Sequence, residues 1–296
     1  MSGSDHFEFG ANWSAFLRTV NEERIAAATG SLRKLFVMER LDCQRFLDVG
    51  SGSGLFSLAA QRLGASVISF DYDPQSVACT EELKRRFGDT KEWQIVRGSA
   101  LDEEFLTSLG EFEVVYAWGV LHHTGQMWTA IDLVSQRVKS GGLLCLAIYN
   151  DQQYISRAWR GVKRIYQRLP RAMQPLYVSA IGCALFLKRL AMTLLACLLR
   201  LVSLRNPLVP IQNWLGERQA RWMHAWYDLV DWIGGWPFEV ARPEEVFRFL
   251  RDRGFTLIEL TTCGGHGCNE FVFRLGTGND GTRSVPTTIQ RTETAS

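Results

Sequence analysis

Short apolar runs alternate with helical patterns through the first half of the chain. Five runs have the length and composition of buried strands, at residues 45–50, 66–70, 93–96, 112–118 and 143–149. The intervening residues 55–63, 74–87 and 127–138 repeat their apolar positions at helical spacing, and Pro74 suits a first helical turn. This alternation predicts an α/β fold with a doubly wound parallel sheet.

The C-terminal part follows a different pattern. A helix is predicted at 243–253, stopped by Gly254, and two strands at 255–262 and 269–275 flank a glycine-rich loop. They predict an antiparallel hairpin at the edge of the sheet. The predicted organisation is therefore as follows: a helical cap at 1–39, a core at 40–151, a helical insert at 152–236, the rest of the core at 237–276 and a disordered polar tail at 277–296.

Three glycines mark the junction between the first strand and the first helix of the core. Gly50, Gly52 and Gly54 alternate there, where the backbone has to turn sharply and pass close to a ligand. Asp71 closes the second strand, which a doubly wound sheet places beside that first turn. A carboxylate at this position can accept both hydroxyls of a ribose. The pattern predicts a cofactor that contains a nucleoside.

The spacing D-x-G-x-G-x-G, which begins at Asp48, resembles motif I of the class I S-adenosylmethionine-dependent methyltransferases. The segments ISFDYD, VRGSALD, FEVVYAWGVLHHTGQMWTAI and VKSGGLLCLAIYND are similar to later motifs of that family, and the closing hairpin belongs to it as well. The resemblance covers roughly residues 40–151 and 242–275. It implies a Rossmann-like methyltransferase sheet with S-adenosyl-L-methionine as cofactor.

The resemblance also implies which residues bind that cofactor. Asp71 would hold the ribose, Tyr72 would cover the adenine, and the segment around Ser99 would contact the adenine edge, although the family usually carries an acid at position 99. The complete predicted set is Asp48, Gly50, Ser51, Gly52, Gly54, Asp71, Tyr72, Ser99, Ala100, Leu101 and Trp118.

Two histidines leave the fourth strand at the edge where a doubly wound sheet binds its ligand. His123 aligns with a histidine that the ubiquinone-pathway O-methyltransferases carry in an "EH" motif, whereas His122 stands in place of the glutamate. We predict that His123 accepts a proton and that His122 is chiefly structural. The sequence CGGHGC at 263–268 packs Cys263, His266 and Cys268 too closely for a usual zinc site, so no metal is predicted.

The insert differs from the core in charge. Residues 152–216 contain no Asp or Glu but ten Lys or Arg, so the remainder of the chain sums to 2 − 10 = −8. Its first helix carries an apolar stripe (Ile155, Trp159, Val162, Tyr166, Leu169) and an arginine stripe (Arg157, Arg160, Arg164, Arg168, Arg171). Two uncharged runs follow, at 172–187 and 190–199, each too short to span a membrane comfortably. We predict that residues 155–204 lie on an anionic membrane; a helical lid packed on the sheet is the alternative.

Together these observations predict a methyltransferase that acts on oxygen of a lipophilic small molecule such as a quinol precursor. Alternative acceptors are a glycan, a lipid headgroup or a natural product, and alternatives of another class are an RNA-binding methyltransferase or an inactive cofactor-binding scaffold. No nucleic acid partner is expected. The seven cysteines lie mostly in apolar runs, and no signal peptide is visible, so we predict a cytoplasmic protein, peripheral on the inner face of the membrane.

Overall fold

A computed structural model describes residues 17–277 except 18, 37, 89–91, 220–224 and 266. Within this part of the chain, seven strands form one mixed sheet in the order β3-β2-β1-β4-β5-β7-β6. The strands are β1 (Arg45–Val49), β2 (Ser66–Asp71), β3 (Trp93–Arg97), β4 (Phe112–Trp118), β5 (Val138–Tyr149), β6 (Phe255–Thr261) and β7 (Cys268–Leu275). The predicted doubly wound sheet with a C-terminal antiparallel hairpin is confirmed.

The strand order reverses at β1, which pairs in parallel with β2 on one side and with β4 on the other. Leu47 is opposite Ile68 in β2 and opposite Val115 in β4. Ligands of open α/β sheets bind at such a reversal, beyond the carboxyl ends of the strands. The topology therefore places the candidate site where β1 and β4 end.

Helices that lie outside the insert cover both faces of this sheet. The described helices are α1 (Glu22–Phe36), α2 (Leu55–Arg62), α3 (Pro74–Phe87), α4 (Glu103–Ser108), α5 (Met127–Ser135), α6 (Tyr154–Arg168), α7 (Gln174–Val202), α8 (Val209–Gln219), α9 (Ala225–Gly234) and α10 (Pro243–Arg251). Successive residues of β1 serve opposite faces, because Phe46 packs with α1, α2 and α3 whereas Leu47 packs with α4, α5 and α10.

The fifth strand begins earlier than the sequence predicts. Residues 127–138 were expected to be helical and the strand to start at 143, but α5 ends at Ser135 and β5 starts at Val138. Val138 is buried and pairs with Phe112, and the register with β4 shifts before Val114. Gly141 accommodates this irregularity with a φ of +80°, so the two glycines lie inside the strand and do not end it.

The insert forms a compact unit of its own over residues 157–236. Its small core contains the buried side chains of Tyr166, Val178 and Ile233. The Trp159 and Trp232 rings meet edge to face, with centroids 5.4 Å apart. The apolar stripe predicted on α6 is therefore covered by other helices of the insert at Trp159, Val162 and Tyr166, whereas Ile155 is half exposed.

The two uncharged runs of the insert belong to one helix. α7 continues without a break through Lys188 and Arg189 and is 29 residues long, which corresponds to about 43 Å. By length and composition it is the one described helix that could cross a membrane. Two separate short segments were expected; the polar pair does not interrupt the helix because Lys and Arg are good helix formers.

Candidate active site

The glycine loop after β1 is held against the end of β2 and the turn after β4. The N–H groups of Gly50 and Ser51 both donate to the carbonyl of Phe70, at 2.8 and 3.0 Å. Gly50 has a φ of +72°, and a Cβ there would lie 2.3 Å from the Val120 side chain. Only glycine permits that backbone and that approach. The loop therefore lies directly beside the turn that carries the two histidines.

Helix α3 supports the same loop. A Cβ at Gly54, where φ is +77°, would meet the Thr80 methyl group at 2.7 Å. The Thr80 hydroxyl contacts the Ser51 hydroxyl at 3.1 Å and donates to the carbonyl of Gly52 at 3.2 Å. The sequence gives no signal for Thr80, because it lies 28 residues beyond the loop and meets it only in the fold.

Asp71 connects the loop with the end of β2. Its two carboxylate oxygens accept the N–H groups of Gly52 and Asp73, each at 2.9 Å. Burial raises the pKa of this carboxyl, and the two N–H donors act in the opposite direction. Each carboxylate oxygen has further acceptor capacity. Asp71 thus has the position and the lone pairs to receive a pair of ribose hydroxyls.

The remaining predicted nucleoside contacts flank Asp71. Tyr72 is 57% exposed, and its contact with the adenine stays a prediction. The N–H of Gly98 donates to the Asp71 carbonyl at 3.0 Å, which places residues 99–101 beside it. The Ser99 hydroxyl accepts the N–H of Leu101 at 3.1 Å, and Ala100 is buried. Ser99 therefore forms the turn of this segment and retains one hydroxyl proton to donate.

Asp48 lies beneath the loop rather than at its surface. Its side chain is 3% exposed and accepts the Ser57 hydroxyl, which in turn contacts the Ser69 hydroxyl at 2.7 Å. Trp93 Nε1 donates to that same Ser69 hydroxyl at 2.7 Å. Burial raises the pKa of Asp48 to about 7. This burial makes Asp48 a support of β1 and α2, and its contact with the cofactor stays a prediction.

This buried carboxyl makes stability depend on pH. The pKa of Asp48 is about 7 in the folded protein and 3.8 by default, so the folded state binds more protons between these values. The contribution of Asp48 to the free energy of unfolding is therefore fully present below about pH 4. It is lost as pH rises through 7, at about 1.4 kcal/mol per pH unit. We expect wild type to lose about 3 kcal/mol more than Asp48→Asn between pH 5 and pH 7.5 in urea unfolding. Parallel pH profiles of the two proteins would contradict this assignment.

The histidine pair occupies a one-turn 3₁₀ helix after β4. His122 is fully buried, and its ring lies 3.8 Å from the Tyr149 ring between centroids. His123 is partly exposed, and its N–H donates to the Val120 carbonyl at 2.9 Å. Since Val120 contacts Gly50, this turn brings His123 to the glycine loop.

The hydrogen bonds assign different protonation patterns to the two rings. Nδ1 of His123 lies 2.7 Å from the Pro237 carbonyl, which can only accept, so Nδ1 donates and the basic lone pair of a neutral ring is on Nε2. Nδ1 of His122 accepts the N–H of Tyr149 at 3.4 Å, so Nε2 carries its proton. The Nδ1 of His122 is thus bonded to the end of β5, and the role of His123 as proton acceptor stays a prediction.

Trp118 ends β4 on the face opposite the α4–α5 layer. It stacks on Tyr116, with centroids 5.2 Å apart and planes 2° from parallel. Trp118 is partly exposed and immediately precedes Gly119, so it borders the same strand end as the histidine turn. Its contact with the cofactor stays a prediction.

The loop between β6 and β7 is fastened to the end of β5. Asn150 donates through Nδ2 to the Cys263 carbonyl at 2.9 Å, and Asn269 accepts the N–H of Cys263 at 3.0 Å. Among the described residues, no three His, Cys, Asp or Glu side chains converge on a common point. His266 lies outside the described residues, so the absence of a metal from this loop stays a prediction.

Comparisons with known proteins agree with this geometry. A family model described as a methyltransferase domain matches residues 47–144. The ubiquinone biosynthesis O-methyltransferase of Cereibacter sphaeroides is 29% identical over 129 residues, which cover 43% of this chain and 50% of that protein. The enzyme of the same name from Xanthomonas oryzae pv. oryzae is 30% identical over 148 residues, which cover 49% of this chain and 60% of that protein.

Two solved structures share the fold at low identity. An O-methyltransferase family protein from Burkholderia thailandensis superposes with a TM-score of 0.53 at 11% identity, over 90% of this chain and 59% of that one. Magnesium protoporphyrin IX methyltransferase from Synechocystis PCC 6803, solved with bound SAH, gives 0.50 at 11% identity, over 85% of this chain and 83% of that one. Residues 47–144 therefore match a methyltransferase domain, on a fold that solved methyltransferases share.

The prediction of S-adenosylmethionine as cofactor is confirmed at the level of this family, and the site fits it. The glycine loop leaves no room for side chains at Gly50 and Gly54, and Asp71 presents acceptors beside it. The alignments span only about half the length of the curated relatives, 50% and 60% for the two named above.

Removing the Asp71 carboxylate tests its assignment in the methyltransferase domain. Asp71→Ala should weaken S-adenosylmethionine binding at least about tenfold in calorimetry, because a hydrogen bond to a charged group contributes about 1.5–3 kcal/mol. Asp73→Ala is the matched control. It removes the neighbouring carboxylate, which caps α3 by accepting the N–H of Gln75, and leaves Asp71 in place. Equal losses in both variants would remove Asp71 from the site.

Proposed function

We propose that this protein is an S-adenosylmethionine-dependent O-methyltransferase that acts on a lipophilic hydroxylated small molecule, such as a quinol precursor, at a membrane surface. The observation that carries the proposal is the hydrogen bond from His123 Nδ1 to the Pro237 carbonyl, beside the glycine loop. It places the proton of a neutral ring on Nδ1, so that Nε2 is the nitrogen that accepts a hydroxyl proton. The name of the ubiquinone biosynthesis relatives suggests the acceptor class.

The chemistry requires a positioned hydroxyl and an acceptor for its proton. S-adenosylmethionine, which Asp71 and the glycine loop would hold, would supply a methyl group for the hydroxyl oxygen, and its sulfur would keep the electron pair of the carbon–sulfur bond. His123 Nε2 takes the hydroxyl proton, and the Pro237 carbonyl, still bonded to Nδ1–H, stabilises the resulting imidazolium. Water later removes that proton. A base of this kind contributes about 10²–10⁴-fold, and positioning of the reactants contributes more.

The exposed surface of the insert supports the membrane part of the proposal. The side chains of Arg157, Arg160, Arg164, Arg168 and Arg171 are all exposed, in a region that lacks acidic residues. Anionic lipids attract such a row with about 1 kcal/mol for each basic residue near the surface. The second half of α7 exposes apolar side chains, each more than half accessible: Met192, Leu194, Leu195, Leu198, Leu199, Leu201 and Val202.

The position of the charged pair in α7 favours a helix that lies in the membrane surface over one that spans it. Lys188 and Arg189 are at the middle of Gln174–Val202, so a spanning helix would carry them to the centre of the bilayer. Each such charge costs about 2.5–3.5 kcal/mol at that depth. An interfacial helix instead keeps them among headgroups while its apolar face enters the hydrocarbon boundary.

The acceptor class can be tested directly. Wild-type protein, cofactor labelled in the methyl group and a total bacterial lipid extract are incubated together, with Asp71→Ala as the blank. We expect label in a neutral lipid fraction, in a product whose label resists mild alkali as an aryl methyl ether does. Label that appears only in lipid headgroups, in glycan or in added RNA would overturn the proposed acceptor. The absence of label from every fraction would support an inactive cofactor-binding scaffold.

A further inference from the structure

The chain returns from the insert to the methyltransferase domain through a short segment that contacts the turn with His122 and His123. We define the return segment as residues 237–241. Its Pro237 carbonyl accepts from His123 Nδ1, and the N–H of Ala241 donates to the Tyr149 carbonyl at 3.0 Å. Phe238 is 5% exposed, and its ring lies 5.6 Å from the Tyr149 ring. The residues that orient His123 therefore come from a part of the sequence more than a hundred positions away.

Glu239 fastens this segment at two points. Its backbone N–H donates to the His122 carbonyl at 3.0 Å. Its carboxylate accepts the N–H of Met127, the first residue of α5, at 3.0 Å. The N-cap of that helix, Gln126, forms no side-chain capping bond, so the Glu239 carboxylate serves as the cap from across the fold. A negative charge is also favourable at a helix N-terminus.

These contacts form a continuous connection from the start of α5 to the base. The Glu239 side chain is fixed by Met127, its backbone is fixed by His122, and two residues earlier Pro237 meets the His123 ring. Which ring nitrogen of a histidine carries the proton is determined by the bond that the other nitrogen makes. If the Pro237 carbonyl moved away from Nδ1, the proton would be free to shift to Nε2, and the ring would then present a donor where the reaction needs an acceptor.

We propose that Glu239 is a positioning residue for methyl transfer, which holds the Pro237 carbonyl on Nδ1 of His123 and so keeps the lone pair on Nε2. The inference rests on the proposed function, in which His123 is the base. Glu239 itself touches neither reactant; it acts through the return segment.

The test is nitrogen-15 NMR of the full-length protein labelled in histidine, because the shifts of Nδ1 and Nε2 report the tautomer without any methyl acceptor. The chain has five histidines, and His123→Gln assigns the signal. In wild type at about pH 8 we expect His123 to show a protonated Nδ1 and a bare Nε2. Glu239→Ala should move both shifts toward the reverse or averaged tautomer, whereas Glu239→Gln, which keeps an acceptor for Met127, should keep the wild-type pattern.

A matched control separates positioning from a general loss of a helix cap. Glu245 accepts the N–H of Arg242 at 2.8 Å and so caps the start of α10. Glu245→Ala should leave the His123 signal unchanged. With an alkylated catechol as the methyl acceptor, Glu239→Ala should lower kcat about tenfold with little change in KM, a fraction of the contribution of a general base.

The outcomes distinguish the two hypotheses. A wild-type His123 protonated on Nε2 would contradict the role of His123 in the proposed function. If wild-type His123 is protonated on Nδ1 and Glu239→Ala leaves that tautomer unchanged, only the positioning role of Glu239 is overturned. The same conclusion follows if Glu245→Ala changes the His123 shifts as much as Glu239→Ala does. A tautomer change in Glu239→Ala together with unchanged catechol methylation would show that Glu239 sets the ring but that the reaction needs no base.

Discussion

His123→Ala should lower the rate of methyl transfer to a hydroxyl acceptor by about 10²–10⁴-fold, the usual contribution of a general base. The affinity for S-adenosylmethionine should stay the same, because Asp71 and the glycine loop are held by contacts that do not include this ring. Single-turnover assays with an alkylated catechol, paired with calorimetry of cofactor binding, measure both quantities.

His122 provides the contrast, since its substitution should affect stability first. The side chain is fully buried and lies against Tyr149, so His122→Ala leaves a cavity and removes an acceptor for the Tyr149 N–H. Loss of that packing is expected to cost about 2–4 kcal/mol in unfolding free energy. If His122→Ala instead remains stable and loses more turnover than His123→Ala, the two roles are reversed. If neither change affects turnover, the nucleophile requires no base.

The architecture of the core could be predicted from sequence because its signals are local. Strand runs such as 66–70 are continuous apolar segments between turn residues, and alternation with helices leaves few topologies for a parallel sheet. The predicted start of β5 is wrong because the strand is extended to Val138 by pairing with Phe112, and that pairing depends on a neighbouring strand. The continuity of α7 was missed because apolar periodicity alone treats a charged pair as an interruption, whereas the backbone does not.

The site was predictable only where the local backbone conformation requires a particular residue type. Gly50 and Gly54 are required by positive φ and by close neighbours, which their spacing signals. Asp48 begins the same motif, but its side chain is buried under the loop against Ser57 and, beyond it, Ser69, which the motif does not include. Pro237 and Glu239 could not have been found this way, because nothing in the return segment marks a partner 114 or 112 residues earlier. Residues 1–16 of the predicted cap and 278–296 of the predicted tail lie outside the described residues.

Reversing the charge of the arginine row should abolish binding to anionic vesicles. In Arg160→Glu/Arg164→Glu/Arg168→Glu, three exposed attractive charges become repulsive, a change of about 6 kcal/mol at about 1 kcal/mol for each unit of charge near the surface. Co-sedimentation with phosphatidylglycerol vesicles at low salt measures the loss. Cofactor affinity should persist, because the cofactor residues belong to the methyltransferase domain. A control with the same change in net charge, Lys34→Glu/Arg248→Glu/Arg251→Glu, alters exposed positions of that domain and should still sediment.

The apolar face of α7 should account for the binding that salt leaves behind. Exposed charges are screened over about 3 Å at 1 M salt, so wild type should lose the arginine contribution there and keep the part due to buried apolar surface. Leu194→Gln/Leu195→Gln/Leu198→Gln should abolish the vesicle binding that remains at 1 M salt, since each of these side chains is more than half exposed. Sedimentation velocity without lipid is the companion measurement. If wild type dimerises and the leucine variant does not, a second copy of the chain covers this face instead of a bilayer. If wild type stays in the supernatant with anionic vesicles at low salt, the membrane proposal fails and the insert is a packed lid.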